Sequence, residues 1–169
     1  MPVEFLVMLV FPALLIFAGA FDMFTMTIPN RVPLAIVAAF AIAAPLAGLG
    51  WEVAAMHAGL ALAMLAVGIG MFAAGWMGGG DVKLLAAAAL WMGPGFLYDY
   101  VVVSAVCGGV LTFAILFLRM YPLPAGLAGK QWVSRLHDAG RGIPYGIALA
   151  AGGLLVYPYV EWIQVLTKA

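Results

Sequence analysis

The sequence predicts an all-α integral membrane protein, a bundle of about six transmembrane helices in a single domain over residues 1–169. Three observations predict it. Of the residues 67% are hydrophobic and 8% charged, where soluble domains carry about 25% charged residues, and the mean hydropathy is +1.16. Six long runs hold no Asp, Glu, Lys or Arg. The Lys and Arg residues collect on alternate connections between those runs, as they do in cytoplasmic loops of membrane proteins. The net charge is zero and no basic patch is dense enough to bind a phosphate backbone. Nucleic acid is therefore not an expected partner; the lipid bilayer is. Cys107 is alone and lies in an apolar run, which excludes disulfide frameworks and paired-cysteine zinc sites and reads as a small core residue.

The charge-free runs are residues 5–21, 32–51, 53–80, 84–98, 100–118 and 142–160. A spanning helix needs about 20 apolar residues, with a range near 17–25. The fourth run is short and spans only if it extends through Val82 and Lys83, with Lys83 snorkelling to the interface. The third is longer than needed, so its glycine-rich end is expected to lie outside the helix. The first run resembles a signal peptide at Ala18-Gly19-Ala20, but Met1-Pro2-Val3-Glu4 carries an acid and no side-chain base, the wrong sign for such a signal. It reads as helix one, with Pro12 able to kink it.

Orientation follows from the bases. Arg31, Lys83, Arg119, Lys130, Arg135 and Arg141 follow helices one, three and five, and only Lys168 falls on the other side. The first set is expected in the cytoplasm, with both termini outside it. Thr27-Ile28-Pro29-Asn30-Arg31-Val32-Pro33 has two prolines that discourage continuous helix, and Asn30 is placed to cap helix two. Gly50-Trp51-Glu52 and Gly93-Pro94-Gly95 make short external turns. The one sizeable loop, residues 119–141, carries Trp132, Val133 and Leu136 on one helical face, with Lys130 and Arg135 able to reach head groups. That fits a short interfacial helix; a solvated connector is the other reading. Gly108-Gly109 and Gly152-Gly153 mark close helix contacts, as small residues do in membranes.

Against this background Gly78-Gly79-Gly80-Asp81-Val82-Lys83 stands out, because a carboxylate at a membrane edge is costly and points to function. Asp22, at the end of the first run, falls on the same expected side. Two such acids can work as a dyad, one ionised to take a proton from water and the other protonated to polarise a carbonyl. The glycines are expected to give Asp81 an irregular backbone. Spacing alone leaves open that both acids are interfacial residues paired with Arg31 and Lys83. Rival chemistries have less support. Ser104 and Ser134 lie in no Gly-x-Ser-x-Gly turn. His57 and His137 lack zinc-protease spacing and are expected on opposite faces, so no metal and no cofactor is expected. Asp138 stands beside Arg135 and Arg141 as a solvated loop charge, and Glu52, Asp99 and Glu161 are expected outside.

The chain resembles the type IV prepilin peptidases, membrane aspartic proteases of the Gly-x-Gly-Asp group. Gly78-Gly79-Gly80-Asp81 with Val82-Lys83-Leu84 is similar to that family's second-aspartate motif, Asp22 with Ile28-Pro29-Asn30 to its first-aspartate segment, and Ile143-Pro144-Tyr145-Gly146 to a segment opening the last helix. The resemblance implies cleavage of a short basic leader from prepilins just after a glycine, at the cytoplasmic face of the inner membrane, while the pilin's hydrophobic helix stays in the bilayer. It implies Asp22 and Asp81 as catalytic residues, with Gly78, Gly80, Lys83, Pro29, Asn30, Pro144 and Tyr145 supporting the site or binding substrate. Many members carry an N-terminal methylating domain with paired cysteines. This chain has neither the length nor the cysteines, and resembles the peptidase-only type of Flp and tight-adherence pili or an archaeal preflagellin peptidase. Presenilin-type proteases pair their motif with Tyr-Asp, whereas Asp22 follows Phe21. A transporter or scaffold subunit using the acids for proton or cation passage is the alternative; acids at one face rather than along a path through the bilayer count against it.

Overall fold

The computed structural model describes residues 3–168; Met1, Pro2 and Ala169, and with them the expected placement of the termini, lie outside the described residues. The elements run α1 (Val3–Thr25), α2 (Arg31–Leu46), α3 (Trp51–Ala73), α4 (Gly79–Arg119), the short α5 (Ala125–Ala128) and α6 (Gln131–His137), α7 (Tyr145–Val156), a 3-10 turn (Tyr157–Tyr159) and α8 (Glu161–Lys168). No strand occurs among the described residues. Helical segments Met8–Thr25, Trp51–Ala73 and Gly79–Arg119 are long and apolar enough to cross a membrane, and Arg31–Leu46 and Tyr145–Tyr159 are apolar but shorter.

The fourth and fifth runs form two helical segments, both within the range given for α4, that meet within the expected Gly93-Pro94-Gly95 turn at Gly93, whose φ of 64° and ψ of −172° are not helical. That backbone region is essentially closed to side chains, and Pro94 next to it supplies no N–H to the helix ladder. The end of α3 is set by Gly75 at φ 75°: its N–H donates to the Phe72 carbonyl and the Trp76 N–H to that of Met71, a Schellman closure. Residues 76–78 are thereby left outside α3, as the length of the third run predicts. The last run leaves α-helix at Val156, ahead of Pro158.

α4 is the centre of the bundle. Leu84 to Met92 are all buried, and α4 packs against α2, α3 and α7, while α1 packs against α2 and α7. The alanines at 86–89 let neighbouring backbones approach closely, which is how membrane helices gain contact without a hydrophobic driving force. Trp91, fully buried, stacks on Phe11 at 4.7 Å and donates from Nε1 to the Ile36 carbonyl at 3.0 Å. The Trp162 Nε1 donates in turn to the Trp91 carbonyl at 3.1 Å. This cluster ties α1, α2, α4 and α8 together at the end of α4's first segment away from Asp81. The helix expected in the long loop exists as α6. Its Trp132 meets Phe24 edge-on at 5.5 Å, and Arg135 donates to the Phe24 carbonyl, so both side chains hold α6 onto the last turn of α1.

Candidate active site

Asp22 lies in the last turn of α1. Its backbone carbonyl accepts the Met26 N–H at 2.7 Å, and Met26 has a left-handed φ of 57°, so the helix stops there and the chain turns into Ile28-Pro29. The Asp22 side chain is 4% exposed. Burial on that scale requires a partner, and Oδ2 accepts the backbone N–H of Gly146, in the first turn of α7, at 2.8 Å.

Asp81 occupies the first turn of α4. Gly78, extended at φ −71° and ψ 144°, precedes the helix, and its carbonyl accepts the Val82 N–H at 3.1 Å. The irregular backbone expected at Asp81 is therefore confined to Gly78, and Gly79, Gly80 and Asp81 are helical. The first-turn acid folds back toward Gly78. The glycines serve by leaving room. A Cβ on Gly78 would lie 2.8 Å from Asp81 Oδ2, and one on Gly80 would lie 3.1 Å from Ile28 Cβ and 3.3 Å from its nitrogen. On its other side Ile28 Cδ1 would meet a Cβ on Gly146 at 2.8 Å. Ile28 is thus wedged between the glycines that open α4 and α7.

Asp22 and Asp81 line one cleft of about 470 Å³, with Met26, Trp76, Met77 and Arg141 among its walls. Gly78, Pro144 and Tyr145 line it too. Tyr145 lies over Gly108, and its hydroxyl is 3.2 Å from Thr112 Oγ1, so it ties α7 to α4 at the edge of the cleft. Lys83 does not pair with either carboxylate: Nζ donates to Asn30 Oδ1 at 2.7 Å. Asn30 accordingly precedes α2 without capping it through its side chain, because that oxygen is engaged by Lys83. Pro29 caps in its place through its carbonyl, which accepts the Val32 N–H at 2.9 Å. His57 is buried, its Nδ1 2.7 Å from the Leu90 carbonyl, and belongs to the packing at the far end. The described residues hold no group of three His, Cys, Asp or Glu able to bind a metal ion.

The model of the type IV leader peptidase family matches residues 9–113, a stretch that includes both aspartates. The chain belongs to the type IV leader peptidase family. No curated protein and no solved structure matches it. Membership in the leader peptidase family implies a peptidase with a prepilin substrate, and the apolar helices suit a multi-pass membrane protein. The segment that completes the Asp22 environment, at the start of α7, lies beyond the matched residues.

Several parts of the cleft carry no signal in the sequence. Gly146 was visible only as the last residue of Ile143-Pro144-Tyr145-Gly146; nothing in its spacing announces a hydrogen bond to Asp22. Met26, Trp76, Met77 and Arg141 flank helix ends and carry no motif. Arg119 closes α4 and donates to the carbonyls of Leu136 at 2.8 Å, Arg141 at 3.2 Å and Gly142 at 3.1 Å. It thus holds the strand of loop that forms one wall. Arg141 itself meets Asp138 at 3.6 Å, with both side chains half-exposed.

Proposed function

We propose that the chain is an aspartic endopeptidase that removes the short basic leader from type IV-type prepilins, cutting after a glycine at the cytoplasmic face of the inner membrane. One observation carries the mechanism: Asp22 and Asp81, from helices far apart in sequence, open onto the same cleft. Membership in the leader peptidase family supports the activity.

In this reading the two carboxyls share one proton, since like charges so placed do not readily both ionise. The ionised carboxylate takes a proton from water as the oxygen attacks the scissile carbonyl carbon. The protonated acid donates to the carbonyl oxygen, giving a neutral tetrahedral intermediate. Collapse breaks the C–N bond, the amide nitrogen takes a proton from the acid that gained it from water, and the other acid recovers its own. The Gly146 N–H holds Asp22 in place and Gly78 leaves room for the Asp81 carboxyl, and such positioning is worth much of the rate in an acid–base pair. Met26, Trp76 and Met77 offer apolar walls to a substrate segment that continues into a hydrophobic helix. The transporter reading has no feature of the cleft in its favour.

The test is incubation of the reconstituted protein with a peptide bearing a basic leader, a glycine and a hydrophobic helix. Mass spectrometry should find one cut, after the glycine. Absence of cleavage, or scattered cuts, would count against the proposal.

A further inference from the structure

A second cavity lies away from the acids. α2 and α3 both pack against α4, and between them runs a groove of about 380 Å³. Its α4 floor is Ala86, Ala87 and Leu90, and Leu34 and Leu62 stand on its walls. The small floor residues give it depth. At one end Leu90 is fixed by His57, which bonds to its carbonyl and stacks on Phe40 at 5.6 Å. At the other end stands Lys83, the single charged or polar side chain among the lining residues. Lys83 is exposed and spends one proton on Asn30, leaving two donors free to turn outward.

We propose that this groove seats one acyl chain of an anionic phospholipid, with its phosphate held at the Lys83 end. The charge pattern selects this occupant. A chain inside the groove gains little over a chain in bulk lipid, because lipid tails are as apolar as the leucines they touch. Selection must therefore come from the head group, and the groove's lining offers one cation, Lys83, and no acid. Basic pockets between transmembrane helices bind anionic head groups in this way. A prepilin helix is the less suitable occupant: under the proposed function its leader is basic and would be repelled by Lys83. The exclusion of the prepilin helix rests on the proposed function, whereas the first readout, lipid selection, needs no activity.

The experiment uses the full chain in nanodiscs with chain-spin-labelled phosphatidylglycerol or phosphatidylcholine, reading the motionally restricted fraction by electron paramagnetic resonance. The wild type should prefer phosphatidylglycerol, by about fivefold for the one base engaged. Lys83→Gln should remove most of that preference. Leu34 is 66% exposed, so Leu34→Trp should block the groove without disturbing the core and lower the restricted fraction of phosphatidylglycerol. Equal selection of the two lipids by the wild type would overturn the proposal, as would selection unchanged in both variants. If Leu34→Trp instead raised KM for the leader peptide and left lipid selection intact, the groove would hold the substrate helix, and the lipid assignment would fall.

Discussion

The Gly146 N–H and the Asp22 carboxylate form a 2.8 Å hydrogen bond across the α7–α1 contact, and a Cβ on Gly146 would come within 2.8 Å of the same oxygen. The donor and the empty space are both needed: one satisfies the buried acid, the other lets it sit where it does. Gly146→Ala should therefore lower kcat/KM by about 100-fold, the scale expected of a misplacement near 1 Å. Thermal unfolding should confirm a folded protein. Full activity in this variant would show that the contact does not position Asp22.

Arg119 predicts a second effect, one of positioning. It donates to three carbonyls of the wall that carries Arg141 and Gly142. Arg119→Ala should raise KM for a leader peptide more than it lowers kcat, because the wall loosens while the acids keep their own partners. Arg119→Lys should recover little, since an ammonium cannot present the guanidinium's fixed fork of donors. Equal KM in all three proteins would contradict this role.

Gly93 concerns stability alone. At φ 64° its backbone admits a side chain only under strain, and a Cβ would overlap the His57 ring. Gly93→Ala should lower unfolding stability by about 2–5 kcal/mol, from strain and overpacking together. The neighbouring Pro94→Ala, at an exposed position, should cost far less. The comparison is made by thermal unfolding in one detergent.

How much of this was legible in the sequence depends on the kind of information. Hydropathy and length give the apolar helices, since those depend on composition summed over many residues. The break between the fourth and fifth runs was legible too, since Gly93-Pro94-Gly95 marks it and the backbone at Gly93 is not helical. The two aspartates stand out because acids are rare in so apolar a chain. The partners of the polar side chains are another matter. Lys83 could have met Asp81 two positions away; it meets Asn30 instead, a choice fixed by how α2 lies against α4. The glycines before Asp81 suggest a free backbone, yet their use is to let Ile28 and a folded-back carboxylate come close. Such long-range contacts carry no local periodicity.

Topology gives a further prediction. Lys130 is exposed and lies in the basic loop assigned to the cytoplasm by the proposed orientation. In a Cys107→Ser background, Lys130→Cys should be labelled by an impermeant maleimide only after the cells are opened. Labelling from outside intact cells would reverse the orientation and move the acids to the other face.

The central claim is that Asp22 and Asp81 act as one unit, and cleavage by their variants tests it most directly. Asp22→Asn and Asp81→Asn, each reconstituted and shown to fold, should each lose leader cleavage by at least about 1,000-fold, on the scale of acid–base catalysis. The double variant should be no worse than either single one, as for groups that work together. Asp99→Asn, at an exposed position far along α4, should cleave like the wild type, and EDTA should leave the rate unchanged. Substantial cleavage by either single dyad variant would contradict the account.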